Sequence, residues 1–334
     1  MILVTGGTGM LGAHLLLDLL RKEEVVRAIY RTEAPIEKTR KLFADRDCMD
    51  LFQKIEWVAA DLNDIPALER AFEQVTRVYH CAAYVTFDPK EEEVLRKTNI
   101  EGTANLVNLA IAYKVDKFCH VSSIAALGET IDKDKRIDEK SNWNPDGFHS
   151  DYAISKYGSE IEVWRASQEA LPIIIVNPGL IFGTGFWNQS SGELLNKIHQ
   201  GMPFYTKGSV GVVAVEDVCS IMIQLMDSSI KNQNYVLVSE NIGFQDLLNE
   251  LADSLHKKRP NLYASPFSTG IAWRLDYLIS LLTTKKRSFS RATAKASHAT
   301  VLYDNSKITQ TLNYAFIPAS DFLKPLCQAY LQSL

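Results

Sequence analysis

Met1-Ile2-Leu3-Val4-Thr5-Gly6-Gly7-Thr8-Gly9-Met10-Leu11-Gly12 is the stretch whose reading decides the fold. Residues 1–5 are apolar and rich in β-branched side chains, which predicts a short buried strand. The glycines follow without a gap, and the amphipathic run 14–22 predicts a helix. Strand, glycine turn and helix start together make an anion site. Glycines let the backbone turn tightly and approach a pyrophosphate, and free amides at the helix start face its charge. The segment fits G-x-G-x-x-G as Gly7, Gly9 and Gly12, and T-G-x-x-G-x-x-G as Thr5, Gly6, Gly9 and Gly12. Gly6, Gly9, Met10, Leu11 and Gly12 are therefore candidate dinucleotide contacts.

Outward from this segment, apolar runs alternate with helical periods. Residues 25–30, 55–59, 77–81, 117–122 and 172–177 read as further strands. Between them, 35–52 has mixed helical character, 64–72 has Asp64 as a cap and Pro66 in its first turn, and 91–113 and 152–170 read as long helices. This rhythm implies an α/β fold with a doubly wound parallel sheet, its ligands at the carboxyl ends of the strands. Residues 1–177 are the expected Rossmann-type dinucleotide-binding domain. After Pro178 the rhythm breaks. Helices are expected at 194–200, 215–226, 244–257 and 321–331, and short strands at 210–214 and 235–238. Residues 178–334 read as a smaller, mostly helical substrate-binding region interleaved with the last sheet strands. The polar stretch 129–150 is longer than an ordinary connection and reads as a functional loop. Residues 264–282 are apolar apart from Arg274 and Asp276, and Lys285-Lys286-Arg287 follows closely. A helix covering the substrate pocket is expected there, with contact to a membrane interface as the alternative.

The 334 residues are 46% hydrophobic and 23% charged, with a formal net charge of −4. These are the proportions of an ordinary globule of one large or two small domains, and nothing in them suits a nucleic-acid partner. The five cysteines, Cys48, Cys81, Cys119, Cys219 and Cys327, are scattered and lack C-x-x-C spacing. They are expected to be buried apolar residues in a reducing compartment, neither disulfides nor metal ligands. No uncharged apolar run is long enough to span a bilayer, and a strand starting at Met1 leaves no place for a signal peptide. A cytoplasmic protein without a transmembrane segment is the expectation.

Two further patterns carry chemistry. In Tyr152-Ala153-Ile154-Ser155-Lys156, residues four apart share a helix face, so Tyr152 and Lys156 point into one pocket. A phenol is a poor acid–base group at neutral pH until a positive charge stabilises the phenolate, and a lysine one turn away supplies that charge. His120-Val121-Ser122-Ser123 ends a strand and sets hydroxyls beside the expected crevice. A serine there donates to a substrate oxygen as charge develops on it. Both serines fit, one of them as a turn cap.

Glycine turn, strand-end serine and Y-x-x-x-K, in this order, resemble the extended short-chain dehydrogenase/reductase family. Asp61-Leu62 looks like the family's adenine-contacting acidic turn, His80-Cys81-Ala82-Ala83 is similar to its H-x-A-A turn, and the run from Asn99 to Asn105 looks like N-x-x-G-T-x-N. The run from Asn177 through Pro178 to Gly183 resembles R-P-x-x-V-Y-G, with Asn177 where arginine is commoner. The resemblance implies Ser123, Tyr152 and Lys156 as the catalytic residues, Ser123 being chosen by its distance to Gly128 in S-x-x-x-x-G. It implies hydride transfer between a nicotinamide and a substrate carbon. Tyr152 exchanges the proton, Ser123 polarises the oxygen, and Lys156 holds the ribose and lowers the tyrosine pKa. Asp61, Leu62, Ala82, Ala83, Asn99 and Pro178 join the candidate cofactor contacts, Asn99 more as a structural residue. A homodimer through the two long helices is common in the family.

Serine, isoleucine and alanine at 123–125 lack the acids of the family's sugar dehydratases. The run 26–31 and Phe87-Asp88-Pro89 look most like the dihydroflavonol-reductase branch, which implies reduction of a small ketone or aldehyde. A nucleotide-sugar epimerase using NAD(H), and a non-catalytic dinucleotide sensor, are the alternatives. Tyr84, Phe87, Phe148, Phe182, Phe186 and Trp187 are candidate pocket aromatics. An acidic residue near the end of the second strand binds the ribose of NAD, whereas an arginine suits the 2′-phosphate of NADP. The chain has Arg31 at that place, with Lys38 as a second charge, which predicts NADP(H) over NAD(H). Comparing turnover with both cofactors in wild type and Arg31→Ala checks this. The preference for NADP(H) is expected to fall roughly tenfold, the scale of one charge-assisted hydrogen bond, and an unchanged preference would overturn the assignment.

Overall fold

The computed structural model describes residues 1–86, 88–128, 136–283, 287 and 289–334. The first half runs β1 (Ile2–Thr5), α1 (Met10–Arg21), β2 (Val26–Tyr30), α2 (Ile36–Asp45), α3 (Met49–Phe52), β3 (Glu56–Ala59), α4 (Ile65–Phe72), β4 (Arg77–His80), α5 (Glu92–Arg96), α6 (Gly102–Ala112), β5 (Lys117–Val121), α7 (Asp151–Gln168) and β6 (Ile173–Pro178). The second half adds β7 (Leu180–Phe182), α8 (Ser191–His199), β8 (Phe204–Tyr205), β9 (Ser209–Ala214), α9 (Val215–Asp227), β10 (Gln233–Leu237), β11 (Glu240–Gly243), α10 (Phe244–Ser254), β12 (Leu262–Tyr263), α11 (Pro266–Leu282), α12 (Arg291–Ala296), α13 (Ser306–Leu312) and α14 (Ala319–Gln332).

The main sheet has seven parallel strands in the order β10-β6-β5-β4-β1-β2-β3. Helices cover both faces, so its strands are apolar throughout instead of alternating. Ile2, Val4, Ile174 and Val176 enter one core with α1 and α9, while Leu3, Ile173 and Ile175 enter the other with α4, α6 and α7. The sequence order reverses between β1 and β4, which opens the ligand crevice of a doubly wound sheet there. Arg27 stands inside β2 yet is buried, because its Nη1 donates to the Ala71 and Glu73 carbonyls at 2.9 and 2.8 Å and closes the carbonyl end of α4.

Several expected boundaries move. The first helix starts at Met10, not at 14, because the glycine turn ends at Gly9 and the helix follows directly. The stretch 35–52 splits into α2 and α3, with Asp47 in the left-handed conformation at the break (φ 52°). The long helix expected over 91–113 becomes α5 and α6, joined by a π-helical turn at Lys97–Glu101. Asp64 caps α4 as expected, accepting from the Ala67 amide at 3.2 Å. The sheet also takes β10 from beyond residue 177, and α9 packs Val218, Cys219 and Met222 into the first core. The rest of the second half forms a three-stranded sheet, β11-β9-β7, packed with α8, α10 and α14 around Leu195, Leu247, Leu251 and Leu323. Among the described residues no helix is long and apolar enough to cross a membrane.

The tightest point is the turn after β1. Gly6 has φ +72°, and a Cβ at Gly12 would stand 2.2 Å from the Gly6 carbonyl oxygen. That oxygen belongs to backbone and has no rotamer by which to yield. Gly12→Ala is therefore expected to cost about 2–3 kcal/mol, seen as a fall of several degrees in the thermal midpoint, whereas Ala13→Gly should show only the smaller propensity loss of about 1 kcal/mol.

Candidate active site

The turn leaves a place for a diphosphate. The Gly9 amide donates to the Gly6 carbonyl at 2.9 Å, and the first helical bond of α1 runs from Ala13 to Gly9. The amides ahead of Ala13 have no partner inside the helix. Gly9 offers no side chain to cap them, and the first turn holds no acidic residue. A Cβ on Gly9 would meet only the Gly6 oxygen, at 3.4 Å, so the mouth of the turn is open. Uncapped amides, an open mouth and the positive end of a helix suit an anion. From α2, the Thr39 hydroxyl donates to the Gly7 carbonyl at 2.9 Å and braces the turn.

A buried hydrogen-bond chain ties this turn to α7. Thr5 Oγ1 accepts from the Ala82 amide at 3.1 Å and lies 2.7 Å from His80 Nδ1. His80 Nε2 lies 2.9 Å from Thr103 Oγ1, whose hydroxyl donates to the Asn99 carbonyl at 2.6 Å. Because the Thr103 proton is used there, Nε2 must carry the ring proton and Nδ1 must accept from Thr5. His80 is thus neutral, and burial pulls its pKa down to about 3. The Asn99 amide donates to the Tyr84 carbonyl and the Ser155 hydroxyl at 2.9 and 3.0 Å, and its oxygen accepts from the Tyr84 amide at 2.7 Å. The Ser155 hydroxyl donates to the Tyr152 carbonyl at 2.9 Å. Asn99 is therefore a clamp between two loops and α7, with its side chain fully engaged inside the protein.

Ser150 starts α7 by accepting from the Ala153 amide at 3.1 Å, which sets Tyr152, Lys156 and Glu160 one turn apart on one side. The Ser123 hydroxyl is hydrogen-bonded to the Tyr152 phenol; burial raises the phenol pKa, and this bond opposes the rise. Ser122 lies instead beside Glu160. The structure thus gives different partners to two serines that both fit by position, and of which the resemblance selects Ser123. Lys156 is buried and donates to the Val121 carbonyl at 2.9 Å. Burial brings its pKa down to about 8, against the opposing influences of Glu160 and Cys81. The brake on Tyr152 thus comes from Ser123, while the ammonium is anchored at the end of β5.

Glu160 was not singled out from the sequence, and Asn177 only as the asparagine where arginine is commoner. Burial pushes the Glu160 carboxyl up, while Ser122, Asn177 and Lys156 hold it down. Asn177 Nδ2 donates both to Glu160 Oε1 and, at 3.1 Å, to the Ser123 carbonyl. A signal for Glu160 was present, since it stands four residues beyond Lys156 on the same face.

A cavity of about 220 Å³ adjoins Tyr152, lined also by Phe148, His149, Trp273, Arg287 and Arg291. Of the candidate aromatics among the described residues, only Phe148 lines it. Phe182 is buried in the core of the second half, Phe186 is buried against Met10, Ala13 and Leu42 of α1 and α2, and Trp187 packs edge-on against Tyr330 at 5.5 Å. The Tyr84 backbone is held by Asn99 as described, and Phe87 lies outside the described residues. A larger cavity, about 700 Å³, is lined by α2 and α14 residues with Phe182 and Trp187 and includes none of Ser123, Tyr152 or Lys156. Arg31 follows directly on β2 and is exposed, as is Lys38 on α2. Asp61 Oδ1 accepts from the Asn63 amide at 2.9 Å, and the Leu62 carbonyl accepts from Asn105 at 2.9 Å. Ala82 and Ala83 follow the end of β4, and Pro178 ends β6 paired with Leu237. Within the loop 129–150, residues 129–135 lie outside the described residues; beyond them Trp143 stacks on His149 and Tyr157 at 3.8 and 4.3 Å. Among the described residues no cluster of His, Cys, Asp or Glu would hold a metal ion.

Residues 2–238 match the model of the NAD dependent epimerase/dehydratase family. The chain is 29% identical over 307 residues to sterol demethylase protein B of Methylococcus capsulatus, covering 91% of this chain and 88% of that protein. It is 28% identical over 335 residues to a putative dihydroflavonol 4-reductase of Synechocystis, covering 98% and 92%. The crystal structure of gox2253 superposes with a TM-score of 0.82 at 26% identity, covering 99% of this chain and 98% of that one.

The buried pair makes a pH-dependent prediction. Lys156 is faced by Glu160 on its own helix, by His80 and Cys81 at the end of β4, and by His120 of β5. Both histidines have pKa values lowered by burial, and burial raises the Cys81 thiol to about 12, which leaves Glu160 as the counter-charge. Glu160→Gln removes it, so the lysine should lose its proton at lower pH than in wild type. The alkaline limb of the pH profile of turnover is expected to move toward lower pH by roughly one unit. A profile that keeps its shape while overall turnover drops would mean that Glu160 only packs.

Proposed function

The chain belongs to the NAD dependent epimerase/dehydratase family, and from that premise we propose that it is an NADP(H)-dependent oxidoreductase which reduces a ketone or aldehyde, or oxidises the matching alcohol, at Ser123, Tyr152 and Lys156. The family and the relatives make it an NAD(P)-dependent enzyme of the extended short-chain type. The observation that supports the finer reading is the hydrogen bond between Ser123 and Tyr152, of which Tyr152 lines a small cavity, with the buried Lys156 ammonium one helical turn along.

In this reading a bound nicotinamide supplies or takes the hydride. Tyr152 gives its phenolic proton to the carbonyl oxygen in reduction and takes it from the hydroxyl in oxidation. Ser123 donates to the same oxygen as negative charge develops there. Lys156 holds the nicotinamide ribose and stabilises the phenolate left by proton transfer. The uncapped amides of Met10, Leu11 and Gly12 hold the pyrophosphate, and Asp61 and Leu62 border the adenine. Arg31 supports the choice of NADP(H): it is exposed just past β2 and forms no ion pair among the described residues, so its guanidinium is available to a 2′-phosphate. Residues 178–334 supply the substrate side, through Trp273, Arg287 and Arg291 at the cavity.

Nucleotide-sugar epimerisation on the same site is the alternative, and mass balance separates the two, since an epimerase consumes no net cofactor. Tyr152→Phe is expected to lower turnover by roughly 10²–10⁴-fold, the usual contribution of a positioned acid–base group. Binding of NADPH, followed by fluorescence titration, should stay within about threefold because the fold of the site is retained. A Phe variant as active as wild type would remove Tyr152 from the chemistry.

A further inference from the structure

Helix α11 is inverted. A surface helix ordinarily turns an apolar stripe to the core and polar residues to water. Here the side against the protein is the polar one. Thr269 and Ser280 are only 6% and 4% exposed. Thr269 Oγ1 is hydrogen-bonded to His298 Nε2 at 2.8 Å, Asp276 faces the Arg287 guanidinium at 3.5 Å, and the Lys90 ammonium donates to the Ser280 carbonyl at 3.2 Å. The outward side carries Phe267, Ile271, Leu275 and Leu278, spaced four, four and three residues apart and so on one face. They are 78%, 44%, 53% and 52% exposed, and Ile279 beside them is 53% exposed. Single exposed apolar residues need no explanation, but a contiguous stripe of this kind marks a contact surface.

Charge selects the occupant. α11 contains two charged residues, Arg274 and Asp276. The acid is turned inward to Arg287, and the cation is exposed with the apolar stripe. In sequence Lys285 and Lys286 follow closely, outside the described residues. An apolar face that carries an exposed cation, Arg274, and keeps its helix's acid turned inward complements acyl chains beneath anionic headgroups. A second copy of the same face would set cation toward cation, because the one acid of α11 is turned inward to Arg287 and is not offered to either. The helix has 17 residues, and no described helix is long and apolar enough to cross a bilayer, so it would lie in the plane of the interface.

We infer that α11 docks this protein onto an anionic lipid surface, with Phe267, Ile271, Leu275 and Leu278 at the acyl boundary and Arg274 among the headgroups. Trp273, on the protein side of the same helix, lines the cavity beside Tyr152, so docking brings that cavity to the lipid. The inference concerns the free protein and stands whether or not the proposed reaction is the right one.

Flotation of the full chain with vesicles of phosphatidylcholine, or of phosphatidylcholine with phosphatidylglycerol, tests it. Wild type is expected to float with the anionic vesicles, several-fold less with the neutral ones, and to be released as salt is raised. The double variant Phe267→Ser/Leu275→Ser is expected to lower the bound fraction at limiting lipid by roughly tenfold. Its thermal midpoint should match wild type, because both side chains are exposed. Three results overturn the inference: no flotation of wild type with anionic vesicles, equal flotation of the double variant, or equal binding to neutral and anionic vesicles. A wild-type dimer in sedimentation that the double variant dissolves, without flotation, would overturn it too and give the face to a second copy.

Discussion

The rest of this structure depends on a contact that only bare backbone can make, the Gly6 carbonyl against Gly12. It brings the end of β1 and the start of α1 together with no side chain between them. The first amides of α1 are then left facing the crevice where the strand order reverses. A turn alone would not orient the distant helix α7. The hydrogen-bond chain from Thr5 through His80, Thr103 and Asn99 to Ser155 does so, crossing from β1 through β4 and α6 to α7. An unpaired buried polar group costs about 1–3 kcal/mol, so each member of such a chain specifies its neighbours. The π-helical turn at Lys97–Glu101 has a place in this arrangement, because it holds Asn99, which serves the Tyr84 loop and α7 at once.

The electrostatics of the site come from burial opposed by pairing. Burial alone would discharge both Lys156 and Glu160, pushing one pKa down and the other up. Each instead opposes the effect of burial on the other. Removing either partner would leave an uncompensated charge in a closed space, which is more costly than never having buried the pair. Asn177 links this pair to the serine loop by donating to Glu160 and to the Ser123 carbonyl. Acid, hydroxyl and ammonium are therefore held as one unit, and His80 and His120 stay neutral beside it.

The second half of the chain completes the first. β10 extends the sheet next to β6, and α9 covers a face that would otherwise be bare. The same half places Trp273, Arg287 and Arg291 opposite Tyr152. Its own core, around β9, α10 and α14, takes up Phe182, with Trp187 packed against it. What adjoins Tyr152 is thus a small cavity whose walls are partly cationic and partly aromatic.

Local patterns were legible in the sequence. Strand, glycine turn and helix are contiguous, Y-x-x-x-K is one helical turn, and the Asp64 cap lies within one turn of the residues it serves. Each is governed by short-range geometry, so it can be read without knowing what packs nearby. Pairings across the sheet could not be read in this way. His80 with Thr103, Asn99 with Tyr84 and Glu160 with Asn177 join residues whose separation in sequence carries no period. The identity of a residue likewise says little about the side it faces: Phe182 and Phe148 were equal candidates, yet one fills a core and the other lines the cavity. The apolar run in α11 was visible from its composition. That Thr269, Asp276 and Ser280 face the protein while Phe267, Ile271, Leu275 and Leu278 face outward was decided by what stands beside it, since a helix turns toward the core whichever side finds partners there.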